Sequence, residues 1–156
     1  MRRVLVLLCI LALAAPAAAG ARVNAPGEGT LTVKNASGFV SIQARGGIIG
    51  RFDQGQLWVR DPNPDDEFEE VVTGADKRTV KNEFVTIYSG KNVRFRYLGG
   101  FFRMKLTAVG MDFSAVGKGS VTLQGADGTY SVNDAPAQAF PLLLTTFALA
   151  ANSAGP

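Results

Sequence analysis

The sequence predicts an all-β fold: a single antiparallel β-sandwich or barrel-like domain of about seven to ten short strands, preceded by a signal peptide. Glycine accounts for 18 of the 156 residues, well above the roughly 7% that is usual. The glycines separate short runs rich in Val, Ile, Phe and Thr, with turn signals about eight to ten residues apart. Several of these runs alternate apolar and polar residues, which is typical of half-buried strands.

Residues 1–19 have the pattern of a secretory signal peptide. Arg2 and Arg3 precede an apolar block, Val4–Ala15, which is shorter than the roughly twenty residues that span a bilayer. Three alanines at 17–19 then supply a cleavage site near residues 19–21. We therefore expect a secreted or extracytoplasmic protein, in the periplasm or at the cell surface, without a transmembrane span in its mature chain. An uncleaved membrane anchor is the alternative.

The residue types that the exported chain lacks restrict its chemistry. The only cysteine, Cys9, lies inside the predicted signal peptide, and there is no histidine. Disulfides, His-based catalysis and the usual zinc or copper sites are therefore not expected. Leu8 precedes Cys9 where a lipobox needs a small residue, so we predict that the protein is not a lipoprotein. We also predict no cofactor.

The charge of the exported chain is nearly balanced. Removal of Arg2 and Arg3 from the 16 basic residues leaves 14, against 13 acidic residues. A general affinity for polyanions is not expected from so small a net charge, and we predict no nucleic-acid partner.

We place the β-domain at residues 22–151 and expect glycine-containing hairpin turns to set its register. A turn at Gly99-Gly100 pairs Tyr97 with Phe102, Arg96 with Arg103 and Arg94 with Lys105. A second turn at Ser89-Gly90 pairs Thr86 with Val93 and Phe84 with Phe95, which places both phenylalanines on the apolar face. Together they predict a three-stranded meander over about residues 80–109, with apolar side chains on one face and charged side chains on the other.

Two further turns follow the same logic. A turn at Gln54-Gly55 places Phe52 opposite Leu57, and Arg51 opposite Trp58 as a cation–π pair. A turn at Asp127-Gly128 places Leu123 opposite Val132.

The middle and the end of the chain predict other elements. An acidic insert at about residues 61–76 has a helix-start composition, so we expect a short helix near 64–72. The apolar run near the C-terminus predicts a final buried strand near 143–149, followed by a tail at 152–156. A peripheral membrane contact is the alternative for this run.

The charged face of the meander is the candidate site. It brings together Arg94, Arg96, Arg103 and Lys105, and like charges in cross-strand pairs destabilise a sheet. Something should compensate this charge, and our hypothesis is weak, salt-sensitive binding of an anionic ligand. The alternatives are a solvated outer face and an acidic segment that folds over it.

The acidic insert supplies candidate Ca²⁺ ligands, because oxygen ligands suit this cation. They are Asp61, Asp65, Asp66 and Glu67. The alternative is a solvated loop.

The function predicted from these features is that of a secreted, non-enzymatic β-domain. It binds or decorates the cell envelope or an extracellular polymer, for which an anionic envelope polymer or polysaccharide is the expected partner. Two alternatives stay open: an extracytoplasmic hydrolase that depends on carboxylates or a divalent cation, and an oligomeric surface-layer or structural subunit.

Overall fold

The protein is all-β, as predicted. A computed structural model describes residues 27–61 and 69–150. This part of the chain contains six strands and no helix: β1 (Gly29–Arg60), β2 (Glu69–Asn82), β3 (Val85–Ala126), β4 (Thr129–Val132), β5 (Gln138–Ala139) and β6 (Thr145–Leu149). All pairings are antiparallel and belong to one sheet of order β2-β3-β1-β4-β5, with β6 paired to β3.

Two very long strands replace most of the predicted short ones. β1 has 32 residues and β3 has 42, and β3 passes along both sides of β1. Val40, for example, pairs with both Leu106 and Leu123. The sheet is thereby folded double into a sandwich, and each long strand crosses between the two layers several times.

We name the two layers by their outer surfaces. The grooved layer comprises residues 29–36, 47–54, 69–74, 93–98, 111–117 and 129–132. The basic layer comprises residues 38–45, 55–60, 75–82, 85–90, 101–108, 119–126 and 145–149. Aromatic side chains join the layers across the core: the ring centroids of Tyr97 and Phe102 are 6.4 Å apart, and those of Tyr130 and Phe147 are 6.0 Å apart.

Small residues stack where the strands cross between the layers. One continuous row of ladder partners contains Gly125, Gly38, Ala108, Gly55, Gly90 and Ala75. A Cβ atom on Gly38 would lie 2.3 Å from the carbonyl oxygen of Gln124, and one on Gly55 would lie 2.4 Å from the Cβ of Ala108. Larger side chains do not fit between the stacked backbones, so glycine and alanine allow the strands to bend in register.

These corners show why the predicted hairpins are wrong. The strand continues through Gly99-Gly100 into the other layer, so Tyr97 pairs with Ile48 and Phe102 pairs with Ala44. At Ser89-Gly90 the strand also continues, and Thr86 pairs with Val59 rather than Val93. The meander over 80–109 is therefore wrong.

The other two predicted turns are wrong for the same reason. Leu57 pairs with Tyr88 and Leu106, not with Phe52. Leu123 pairs with Val40 and with Thr145 of β6, not with Val132. The inward assignment is nevertheless confirmed for most of the predicted inner side chains. Those that are buried are Phe52, Leu57, Val93, Phe95, Tyr97 and Phe102, whereas Phe84 is only half-buried.

The ends and the insert have mixed outcomes. The predicted helix near 64–72 is wrong over residues 69–72, which belong to β2, while residues 64–68 lie outside the described residues. β6 confirms a final strand, which begins at Thr145. Its predicted burial is wrong, because Leu143 and Leu144 are exposed in the preceding loop and, within β6, Leu149 alone is buried. The predicted signal peptide and the tail at 152–156 also lie outside the described residues. In the two described ranges, no helix is long and apolar enough to cross a membrane.

Candidate anion-binding surfaces

The four predicted anion-binding residues do not form one patch. Arg94 and Arg96 lie on the outer face of the grooved layer, whereas Arg103 and Lys105 lie on that of the basic layer. The predicted pairs Arg96–Arg103 and Arg94–Lys105 are therefore wrong, because Gly99-Gly100 is a corner and not a hairpin. All four side chains are exposed, as predicted.

The outer face of the basic layer gathers five cations. Arg103 pairs across the ladder with Arg60, and Arg45 pairs with Lys118. Lys105 completes the group, two residues from Arg103 on the same face. Within residues 27–61 and 69–150, none of the five forms an ion pair with a carboxylate. We call this surface the basic patch.

Strand alternation predicts that Arg45, Arg60 and Lys118 point outward, but nothing in their spacing reveals that they are neighbours. The ladder pairing brings them together from three distant stretches of sequence.

Aromatic rings are interleaved with these cations. The Lys105 Nζ lies 5.3 Å from the centroid of the Trp58 ring, and the Arg103 guanidinium lies 5.9 Å from that of Phe101. The predicted Arg51–Trp58 pair is wrong, since Trp58 is the ladder partner of Lys105. The basic patch thus combines cations with partly exposed apolar rings.

The grooved layer carries a groove of about 420 Å³. Two rows of side chains flank it, and the groove runs across the strands rather than along them. One row contains Val71, Arg96, Ile49 and Ser114, and the other contains Thr73, Arg94, Arg51, Asp112 and Lys34. Among the described residues, Asp112 is the one carboxylate that lines this groove.

Among the described residues, carboxylates pair with two of the four cations that line the groove. Arg51 binds Asp112 at 2.5 Å and lies 3.7 Å from Asp53, and Arg96 forms an ion pair with Glu69. The amide N–H of Asn35 donates to Asp112 Oδ1 at 2.9 Å. This backbone hydrogen bond, reinforced by the Arg51 guanidinium, lowers the pKa of Asp112 below its ordinary value.

A polar cluster closes the core beneath β2. The Tyr97 hydroxyl donates to Glu70 Oε1 at 3.1 Å, and Arg78 Nε donates to the Tyr88 hydroxyl at 3.2 Å. Burial raises the pKa of both tyrosines, and the nearby Glu70 carboxylate adds to the effect. These polar groups are hydrogen-bonded to one another where β2 forms the edge of the sheet.

The predicted Ca²⁺ ligands are only partly described. Asp65, Asp66 and Glu67 lie outside the described residues. The backbone N–H of Asp61 donates to the carbonyl oxygen of Phe84 at 3.0 Å. Across the described ranges, no group of three or more acidic, His or Cys side chains is placed to hold a metal ion.

Comparisons with known proteins add no relative to this description. No protein-family model matches the chain, and no curated protein or solved structure is detectably similar to it.

Proposed function

We propose that the protein is exported and binds a linear acidic polymer of the cell envelope or extracellular matrix, without catalysis. The binding surface is the basic patch on the outer face of the basic layer. The observation that carries this proposal is the gathering of Arg45, Arg60, Arg103, Lys105 and Lys118 without an ion-paired carboxylate among the described residues.

Repulsion among these cations supports an anionic ligand. Cross-strand partners have Cα atoms about 4.5–5.5 Å apart, so Arg103 and Arg60 are close neighbours, as are Arg45 and Lys118. Like charges directly opposite each other destabilise a sheet. A polyanion that lies across the strands relieves this repulsion at both pairs.

The rings of Trp58 and Phe101 favour a polymer of acidic sugars over a simple anion. A sugar ring has an apolar face that packs on an aromatic ring, while its carboxylate or sulfate group reaches the cation beside that ring. Trp58 lies beside Lys105, and Phe101 lies beside Arg103. Each aromatic and cationic pair thus offers both kinds of contact.

Binding of the full chain to dextran sulfate, with neutral dextran as the reference, tests this proposal. We expect binding to dextran sulfate alone, weakening about tenfold or more between about 0.1 M and 1 M salt, where the Debye length falls from about 10 Å to 3 Å. The double variant Arg60→Gln/Arg103→Gln should bind several-fold more weakly than the unmodified chain.

Lys34→Gln/Arg94→Gln is the matched control, because it removes two exposed cations from the outer face of the opposite, grooved layer. Equal losses in both double variants would show that net charge alone drives the binding. Equal binding to dextran and dextran sulfate would also contradict the proposal.

Export is tested separately. We expect the protein outside the cytoplasm after cell fractionation, with an N-terminus near residue 20 by N-terminal sequencing. A cytoplasmic protein that retains Met1 would exclude an extracytoplasmic role.

One observation favours the structural-subunit alternative. Leu142, Leu143 and Leu144 are 74%, 79% and 62% exposed in the loop before β6, and clustered exposed leucines are typical of association surfaces. Sedimentation of the full chain over a range of concentrations measures such association. The hydrolase alternative stays a prediction.

A further inference from the structure

The groove on the grooved layer differs chemically from the basic patch and lies on the opposite outer face. It touches five adjacent strand segments, from Thr73 on β2 to Lys34 on β1. Neighbouring strands are about 4.8 Å apart, so the groove is roughly 19 Å long. Its shape and its volume of about 420 Å³ suit an extended small molecule.

Two exposed aliphatic side chains lie on one side of the groove. Ile49 is 58% exposed and Val71 is 39% exposed, although both are aliphatic. Arg96 lies between them on the ladder, and its charge is neutralised by Glu69. A ligand on this side would therefore contact aliphatic surface. The one charge that it would cover, that of Arg96, is already paired with Glu69.

The other side holds two cations that form no ion pair with a described residue: Arg94 and, at the end of the row, Lys34. Arg94 lies between Arg51 and Thr73 on the ladder. Arg51 is bound to Asp112, whereas Arg94 forms no ion pair with any described residue. The Arg94 guanidinium and the Thr73 hydroxyl therefore remain as donors for an anionic group.

A second cavity converges on the same residues. It has a volume of about 380 Å³ and is lined by Arg51, Phe52, Thr73, Asn92 and Arg94. Arg94, Arg51 and Thr73 line both cavities. The compact polar end of a ligand is thus best accommodated at Arg94 and Thr73, with space on either side.

We propose that this groove binds a single-chain anionic amphiphile. Its phosphate, sulfate or carboxylate head is held by Arg94 and Thr73, and its alkyl chain lies along Ile49 and Val71. Charge complementarity at the head and the exposed aliphatic side chains beside it together select this ligand class. The site is separate from the polymer-binding surface proposed above.

Calorimetric titration of the full chain with n-decyl phosphate, kept below its micelle concentration, tests the proposal. Inorganic phosphate supplies the head alone, and n-decyl glucoside supplies the same tail with a neutral head. We expect n-decyl phosphate to bind about tenfold or more tightly than either, since it alone gains both the apolar and the ionic contacts.

Variants separate the two contacts. Arg94→Gln should abolish the preference over n-decyl glucoside, and Ile49→Ser should abolish the preference over inorganic phosphate. Both residues are exposed, so both variants should unfold at temperatures close to that of the unmodified chain. Arg103→Gln, which removes a cation from the basic patch, should leave n-decyl phosphate binding unchanged.

Three results would overturn the proposal. The first is that n-decyl phosphate binds no more tightly than inorganic phosphate. The second is that its affinity is the same in all three variants. The third is a dimer, seen by sedimentation, that the Ile49→Ser substitution dissociates. That result would assign the groove to a second copy of the chain. Loss of dextran sulfate binding in Arg60→Gln/Arg103→Gln concerns the basic patch alone, so the two proposals fail independently.

Discussion

The two outer faces of this sandwich are made largely by the same two long strands, yet they differ in whether their arginines are paired with carboxylates. On the basic layer, Arg103 lies beside Arg60 without an ion-paired carboxylate among the described residues. On the grooved layer, Arg51 also lies beside an arginine, Arg94, but it is bound by Asp112. The grooved layer, on which Arg51 and Arg96 are paired with carboxylates but Arg94 is not, carries the groove. The basic layer presents cations beside aromatic rings.

This difference shows what each face has available for a ligand. Cations that are already paired contribute little to binding, because a ligand must replace an existing partner. Cations held beside like charges gain more from an incoming anion. The basic patch is thus suited to a polyanion, while the groove is suited to a ligand that adds apolar contacts to a single anionic group.

A corner substitution tests whether the two faces depend on one another. Gly55→Ala places a Cβ 2.4 Å from both the Thr107 carbonyl oxygen and the Ala108 Cβ, at a φ of +158°. We expect the free energy of unfolding to fall by about 1–3 kcal/mol, with weakened binding at both faces. Chemical denaturation measures the first effect, and the two titrations above measure the second.

Gly27→Asn is the control for this substitution. Gly27 has a φ of +84° with nothing within 4 Å of an added Cβ, and Asn tolerates positive φ. If Gly55→Ala is as stable as this control, close packing at the corners does not require glycine at position 55.

Acid should reduce the stability contributed by the ion pairs of the grooved layer. The pKa of Asp112 is lowered in the folded protein by the Asn35 amide and by Arg51. Its contribution to stability is therefore present above the ordinary Asp pKa of about 3.9 and is lost as the pH falls through the lower native value. We expect the stability gap between the unmodified chain and Asp112→Asn to be present at pH 7 and to shrink below about pH 4.

Denaturant unfolding at a series of pH values measures this gap. Asp127→Asn makes the same chemical change in an exposed bend and serves as the control. Gaps that shrink alike for both variants would mean that Asp112 has no special part in the acid response.

The smallest expected effects are the changes in stability caused by two arginine substitutions, which should have opposite signs. Arg51→Gln should destabilise the protein by a few tenths of a kcal/mol, because it removes an ion pair that is partly exposed. Arg103→Gln should stabilise it by a similar amount, because it relieves repulsion with Arg60. Thermal unfolding at low salt measures both, and effects of the same sign would remove the proposed contrast between the faces.

Alternation along the strands made much of the core predictable. Residues such as Phe95, Tyr97 and Phe102 were assigned inward and are buried, and Arg94 and Arg103 were assigned outward and are exposed. This assignment depends only on the two-residue period of a strand, which is a local property. The all-β class was predictable on similar local grounds. A final strand was predictable as well, but its expected burial was wrong.

Strand partners were not predictable, because a glycine allows both a hairpin and a corner. Gly99-Gly100 has the composition of a tight turn, yet there β3 bends into the opposite layer and pairs with β1 on both sides of the corner. Only the folded sheet decides that Arg94 neighbours Arg51 and that Arg103 neighbours Arg60. Within the strands of alternating pattern, the sequence by itself determined which side chains face solvent. The tertiary pairing decided which of them share a surface, since such contacts join residues far apart in the chain.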